Sequence, residues 1–168
     1  TITPVSATNP TNSSPIKYRV DFGEDVGGFM ASDITATLGT SANVTGGPAI
    51  YTFEHSIAGN YDTNVTVGVV TSAASDGAGS WNTINEWSEY TIGYDNIVPE
   101  PTIISPVAYN GYTNADVQIV VDFGDALLAG FDVADISVSG SANATKTLEV
   151  SDDANGLYTF TIGYNAQD

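Results

Sequence analysis

Short runs of strictly alternating apolar and polar residues recur along the chain, and they leave little room for any fold but layered β-sheets. Ile16, Tyr18, Val20 and Phe22 are offset by Lys17, Arg19 and Asp21. Val65, Val67 and Val69 alternate with Thr66 and Gly68, and Tyr90, Ile92 and Tyr94 with Glu89, Thr91 and Gly93. A period of two sends successive side chains to opposite faces of a strand, one for a core and one for water. No stretch places apolar residues at helical spacing over three turns. Turn-forming clusters separate the runs, at Thr8 to Ser14, Gly39 to Asn43, Gly46 to Pro48, Gly59 to Asn64 and Ser75 to Ser80. Many short strands at near-regular spacing predict an all-β, antiparallel sandwich.

The pattern occurs twice. Val20-Asp21-Phe22-Gly23-Glu24 returns as Val121-Asp122-Phe123-Gly124-Asp125, and Gly28-Phe29 with Ser32-Asp33-Ile34-Thr35 returns as Gly130-Phe131 with Ala134-Asp135-Ile136-Ser137. Thr11-Asn12 matches Thr113-Asn114, Ser41-Ala42-Asn43 matches Ser141-Ala142-Asn143, and Tyr51-Thr52-Phe53 matches Tyr158-Thr159-Phe160. A period of about 100 residues corresponds to one sandwich domain per copy. The chain therefore reads as a first domain over 1–96, a linker over 97–101 and a second domain over 102–168. If Tyr158 stands for Tyr51, the second copy stops before the strands that Asn64 to Val70 and Trp87 to Tyr94 supply in the first. A competing alignment sets Phe160 to Tyr164 on Tyr90 to Tyr94 and makes the second copy complete but without a middle hairpin. The first is preferred, because Asn155-Gly156 before Leu157 is a turn that leads into a mid-domain strand. Under either, the second sandwich lacks pairing partners and has a long open edge.

Charge and cysteine content narrow the functions. Among 168 residues, 20 are acidic and only Lys17, Arg19 and Lys146 are basic, for a formal net charge of -17. Such a surface repels nucleic acid and anionic lipid, since almost nothing can neutralise phosphates. There is no cysteine, which excludes disulfides, thiol nucleophiles and zinc–thiolate sites. No apolar run approaches the ~18 residues of a membrane span. No basic, apolar leader opens the sequence, so an export signal is expected to lie outside it.

The residues of the repeat resemble a known family. An alternating strand ending in Asp-Phe, a Gly-Phe and then an Asp-Ile (Val20 to Ile34, and again Val121 to Ile136) are similar to the bacterial immunoglobulin-like repeats of large surface adhesins and biofilm proteins. Those repeats continue with a Tyr-Thr-Phe strand, here Tyr51 to Phe53, and an Ala-x-Asp turn, here Ala74 to Ser80. They close with Tyr-Asp-x-x-x-Pro, here Tyr94 to Pro99. The stretch from Trp81 to Trp87 departs from the family. The resemblance implies two tandem immunoglobulin-like sandwiches, the second missing its last strands, in a secreted, non-enzymatic spacer or adhesive module at the cell surface. Fold alone does not fix function, so this remains an analogy.

The same resemblance implies calcium near the joint between domains. The expected ligands are Asp95, Asn96 and Glu100 at the linker, Asp62 from the loop beside it, and Asp125, Asp132 and Asp135 from the second copy. Calcium takes six to eight oxygens, usually several carboxylates. Glu24, Asp25 and Asp33 are the matching loop of the first copy, read as solvated turn residues. Asp76 is expected to cap its own Gly-rich turn. His55 is the only histidine and lies on the Tyr51 strand, so it is expected to be structural. Trp81 and Trp87 could stack on sugar rings, which makes a carbohydrate-binding accessory module the alternative function. Asn12, Asn43, Asn64 and Asn143 each open an N-glycosylation acceptor triplet. Partners are expected to be neighbouring domains or identical subunits, with no nucleic acid and no membrane insertion. The extended first residues, Thr1 to Ala7, are a candidate strand donor to the open second sandwich of another subunit.

Overall fold

The computed structural model describes residues 1–85, 88–104, 115–125, 131–138, 145–152 and 154–163. The chain is all-β with antiparallel sheets and divides into two compact units, Thr1–Ile97 and Val98–Asp168. Among the described residues no helix is long and apolar enough to cross a membrane.

Unit one contains strands β1 (Ile2–Pro4), β2 (Ile16–Asp21), β3 (Ile34–Ala36), β4 (Thr40–Gly46), β5 (Ile50–Ser56), β6 (Asp62–Val69) and β7 (Glu89–Asp95). They form a sheet in the order β1-β2-β5-β4 and a second in the order β3-β6-β7. The alternation read from the sequence decides which side chains meet between them. Ile16, Tyr18 and Val20 of β2, Phe53 of β5, Val65, Val67 and Val69 of β6, and Ile92 and Tyr94 of β7 are all buried in one cluster. Each such aliphatic side chain contributes roughly 1.5–3 kcal/mol on burial. Tyr90 shares their phase and packs edge-on against Tyr18. Thr1 to Ala7 does not stand free: Ile2, Thr3 and Pro4 pair with Val20, Arg19 and Tyr18, so the expected donor segment supplies β1 of its own unit. Further on, Thr11 bridges to Tyr94 in the parallel sense, so the first segment touches both sheets.

The chain crosses unit one from pole to pole. Thr1 lies beside the end of β2, where its amino group donates to the Asp21 carbonyl. The other end of β2 pairs Ile16 with His55, next to the loop that starts β6. There Asp62 pairs with Asp95, and the Asn96 amide donates to the Tyr61 carbonyl at 3.0 Å. The chain therefore enters at one pole and leaves at the opposite one.

Unit two contains β8 (Thr102–Ile104), β9 (Val117–Asp122), β10 (Thr145–Asp152) and β11 (Leu157–Gly163), in the sheet order β10-β11-β9-β8. This is the four-stranded sheet of unit one again. Val20 faces Tyr51 across β2 and β5, and Val121 faces Tyr158 across β9 and β11. Tyr158 thus takes the place of Tyr51, as the preferred alignment has it, while the competing one would have kept β11 away from β9. Ile103 faces Val121 as Ile2 faces Val20. Phe22, Phe29 and Tyr51 form an edge-to-face trio with centroids 5.3–5.9 Å apart, and Phe123, Phe131 and Tyr158 repeat it at 5.1–6.0 Å. Among the described residues, unit two has no counterpart of β6 or β7. Thr40 opens β4 opposite Ser56 and Thr145 opens β10 opposite Gly163, while the Ser141 to Asn143 side of the Ser-Ala-Asn match lies outside the described residues.

One core atom is a liability. The Tyr18 hydroxyl is buried and has no hydrogen-bond partner among the described residues, and burial, with Tyr90 nearby, pushes its pKa up to about 12. An unpaired buried hydroxyl costs about 1–3 kcal/mol. Tyr18→Phe is therefore expected to leave the unfolding free energy unchanged or to raise it by up to about 1 kcal/mol, measured by urea titration. A clear loss would show that the hydroxyl has a partner.

Candidate functional site

Of the acidic residues expected at the joint, Asp95, Asp132 and Asp135 accept hydrogen bonds from nearby backbone amides. At the exit pole of unit one, the Asn96 side chain clasps the loop before β6: its Oδ1 accepts from the Tyr61 amide at 2.8 Å and its Nδ2 donates to the Gly59 carbonyl at 2.9 Å. Asn96 is thus a brace for this loop. Asp95 Oδ1 accepts from the Ile97 amide at 3.0 Å, and Asp62 sits opposite Asp95 in the ladder. Glu100 is exposed. In unit two, Asp132 Oδ1 accepts from the Ala134 amide and Asp135 Oδ2 from the Asp132 amide at 3.0 Å, closing one turn. Asp33 does the same in unit one by accepting from the Met30 amide at 2.9 Å. Glu24 and Asp25 are exposed, and Asp125 lies at the end of its described stretch. Among the described residues no three His, Cys, Asp or Glu side chains group as a metal shell.

Asp76 caps the Gly-rich turn as the sequence predicts. Its Oδ1 accepts from the Ala78 and Ser80 amides at 2.9 and 2.8 Å, and these backbone donors, Ser80 foremost, hold its carboxyl below the usual range. Asn82 then ties the loop to the core, accepting from the Ala74 amide and donating to the Val70 carbonyl. Between these anchors Trp81 is 58% exposed. It borders a hollow of about 270 Å³ that is also lined by Asp21, Glu24, Asn85 and Ser88. Trp87 lies outside the described residues. Of the glycosylation triplets, Asn12, Asn43 and Asn64 are exposed, Asn43 donating to Glu54 at 2.7 Å, and Asn143 lies outside the described residues.

His55 is buried and held at both ring nitrogens. Nε2 donates to the Leu38 carbonyl at 2.7 Å and Nδ1 accepts from the Ser41 hydroxyl at 2.9 Å, which fixes the neutral tautomer. The seat requires Gly39: its φ is +87°, and a Cβ there would lie 2.7 Å from Nε2 and 2.5 Å from the Ser56 carbonyl. A ring so enclosed has no path to a substrate.

Unit two carries an apolar hollow. A groove of about 450 Å³ runs along the inner face of its sheet between Ile103, Ile119, Val121, Phe123, Ile136 and Ile162. Ile103 is 67% exposed, whereas its counterpart Ile2 is 4% exposed. Reading the sequence as single residues misses this face. The signal is present in the parallel between Thr1-Ile2 and Thr102-Ile103, which places an apolar residue where unit one buries one. The sandwich-like first unit and the repeated sheet of the second define the class as far as fold goes. No family model, curated protein or solved structure matches the chain.

Burial lowers the His55 pKa, and the Leu38 carbonyl only partly opposes this. The unfolded chain then takes up the proton first, at its ordinary value of about 6.5. Unit one is expected to hold full stability from this group above that pH and to lose it as the pH falls from about 6.5 towards the folded value. Chemical denaturation between pH 7.5 and 5.5 checks this: a His55→Asn variant, less stable throughout, should lack the decline over that window.

Proposed function

We propose that the chain is a non-enzymatic structural and adhesive segment of an extracellular surface protein or filament, built from tandem immunoglobulin-like units. The observation that carries this reading is the path of the chain. Unit one is entered beside Asp21 and left beside Asp62, at opposite poles, and β8 enters unit two in the same register that β1 takes in unit one. Units threaded in this way add length with each copy, which is what a spacer needs. The turn-capping acids and the enclosed His55 agree with a framework role. Ile2–Pro4 of the Thr1 to Ala7 segment is already paired as β1 with β2, so this reading does not rely on its donation to another subunit.

Pulling on the chain ends is the direct test. Unit one is expected to unfold in a single step that releases on the order of 300 Å, from ~3.3–3.6 Å per extended residue. Gradual extension without such a step would remove the spacer reading. Calcium belongs to the same proposal through Asp62 and Asp95, since like charges opposite one another in a ladder are destabilising and a cation between them would relieve this. The unfolding force should then rise in millimolar calcium, and an unchanged force removes the metal.

Exposed Trp81 beside a polar hollow favours a second reading, a carbohydrate-binding accessory module. Glycan-array binding abolished by Trp81→Ala would promote it, and an array without binders would dismiss it.

A further inference from the structure

We propose that the hollow beside Trp81 in unit one takes a single uncharged sugar ring, and that Glu24 is the residue that turns anionic sugars away. This names the ligand class for the carbohydrate reading given above and rests on it.

The indole is presented by a backbone that is fixed on both sides. Before it, Asp76 closes the Gly-rich turn, and Ser75 bridges to Gly27 on one side and to Trp81 on the other. After it, the Asn82 amide donates to the Ala74 carbonyl and its own carbonyl accepts from the Ser72 amide, while its side chain spans Ala74 and Val70. Held in this way, Trp81 is still 58% exposed. A large ring kept at the surface on a rigid backbone is a platform whose ordering cost is met before a ligand arrives. The stretch from Trp81 onward is also where the sequence departs from the repeat pattern. In unit two, Asp122 accepts from the Gly124 amide as Asp21 does from Gly23, so the carboxylate at this turn serves the turn in both copies. What unit one adds is the loop that carries the indole.

The lining sets the ligand chemistry. At about 270 Å³ the hollow lies at the small end of ligand pockets, roughly 300–1,000 Å³, which suits one ring and not a chain of them. Its floor includes the buried Ile2, Val20 and Val69, and its polar groups include Thr83 and Ser88 with Asp21 and Glu24. No Lys, Arg or His side chain lines it. A pyranose offers a C–H face to an indole and hydroxyl donors to carboxylates and hydroxyls, so it meets both halves of this lining. The two carboxylates differ in what they leave over. Asp21 accepts from the Gly23 amide and pairs with Arg19 at 2.7 Å, so its charge is compensated. Glu24 is exposed and has no ion pair among the described residues. Its charge therefore faces whatever enters, and a sugar carboxylate brought beside it is repelled.

NMR titration of the full chain tests this. The indole N–H signal of Trp81 is identified by its absence from Trp81→Ala, a change at an exposed side chain that leaves the core intact. The probes are the methyl β-glycosides of glucose, galactose and N-acetylglucosamine, and methyl β-glucuronide. At least one neutral glycoside is expected to shift the Trp81 signal, and the glucuronide is expected to leave it in place. Glu24→Gln removes the charge and keeps an acceptor, and in it the affinity for the glucuronide is expected to rise at least about tenfold. A glucuronide that shifts the wild-type signal as the neutral probes do, or that is still excluded from Glu24→Gln, overturns the proposal and leaves the carbohydrate reading standing. So does binding of sugars that Trp81→Ala does not weaken, which would place the site elsewhere. No shift with any probe, together with an array without binders, removes the carbohydrate reading and this inference with it.

Discussion

A sheet whose side chains alternate between apolar and polar has one face that water does not favour, and its stability rests on what lies against that face. In unit one the problem is solved internally. Ile2, Tyr18, Val20 and Phe53 on one sheet meet Val65, Val67, Ile92 and Tyr94 on the other, and all are buried. In unit two the same sheet is built and the same aromatic trio closes one end, so Val121, Tyr158 and Phe160 are buried. Towards Ile103 and Ile162 the cover thins out. Copying a sheet copies its need for a second layer.

The acidity of the chain has a local explanation in its turns. Asp21, Asp33, Asp76, Asp122, Asp132 and Asp135 each accept a hydrogen bond from a backbone amide at a chain reversal. A short carboxylate satisfies loop amides that no strand pairs, and it does so without a basic partner. Arg19 with Asp21 is the ion pair formed among the described residues. Many of the negative charges are therefore components of the loops, which is why their abundance points to a metal more strongly than their geometry does.

The strands are legible because period-two alternation is a direct imprint of burial, and β2, β6 and β7 lie where Ile16, Val65 and Tyr90 begin their runs. The repeat is legible where both copies need the same contacts: Phe22 and Phe123, Phe29 and Phe131, Tyr51 and Tyr158. Ser41-Ala42-Asn43 lies within β4, while its match at Ser141 to Asn143 lies outside the described residues. Asn96 reads in the sequence as an oxygen donor for a cation. Its carboxamide instead bridges two backbone groups of a loop more than thirty residues earlier, a contact that only the folded pole brings about. The seat of His55 depends likewise on Leu38 and Gly39 arriving from across the sheet.

The bridge between Thr11 and Tyr94 joins the first segment of unit one to its last strand, side by side and running the same way. Thr11 donates its amide to the Gly93 carbonyl and accepts from the Asp95 amide, and Asn9 adds a side-chain bond to the Gly93 amide. Tension applied along the chain draws these two segments in opposite directions along a common axis. The bonds between them are then loaded in shear and must give way together, whereas a hairpin pulled from its open end unzips rung by rung. A sandwich laced in this manner resists stretching through the arrangement of a few amides near its exit, largely independent of how much apolar surface it buries.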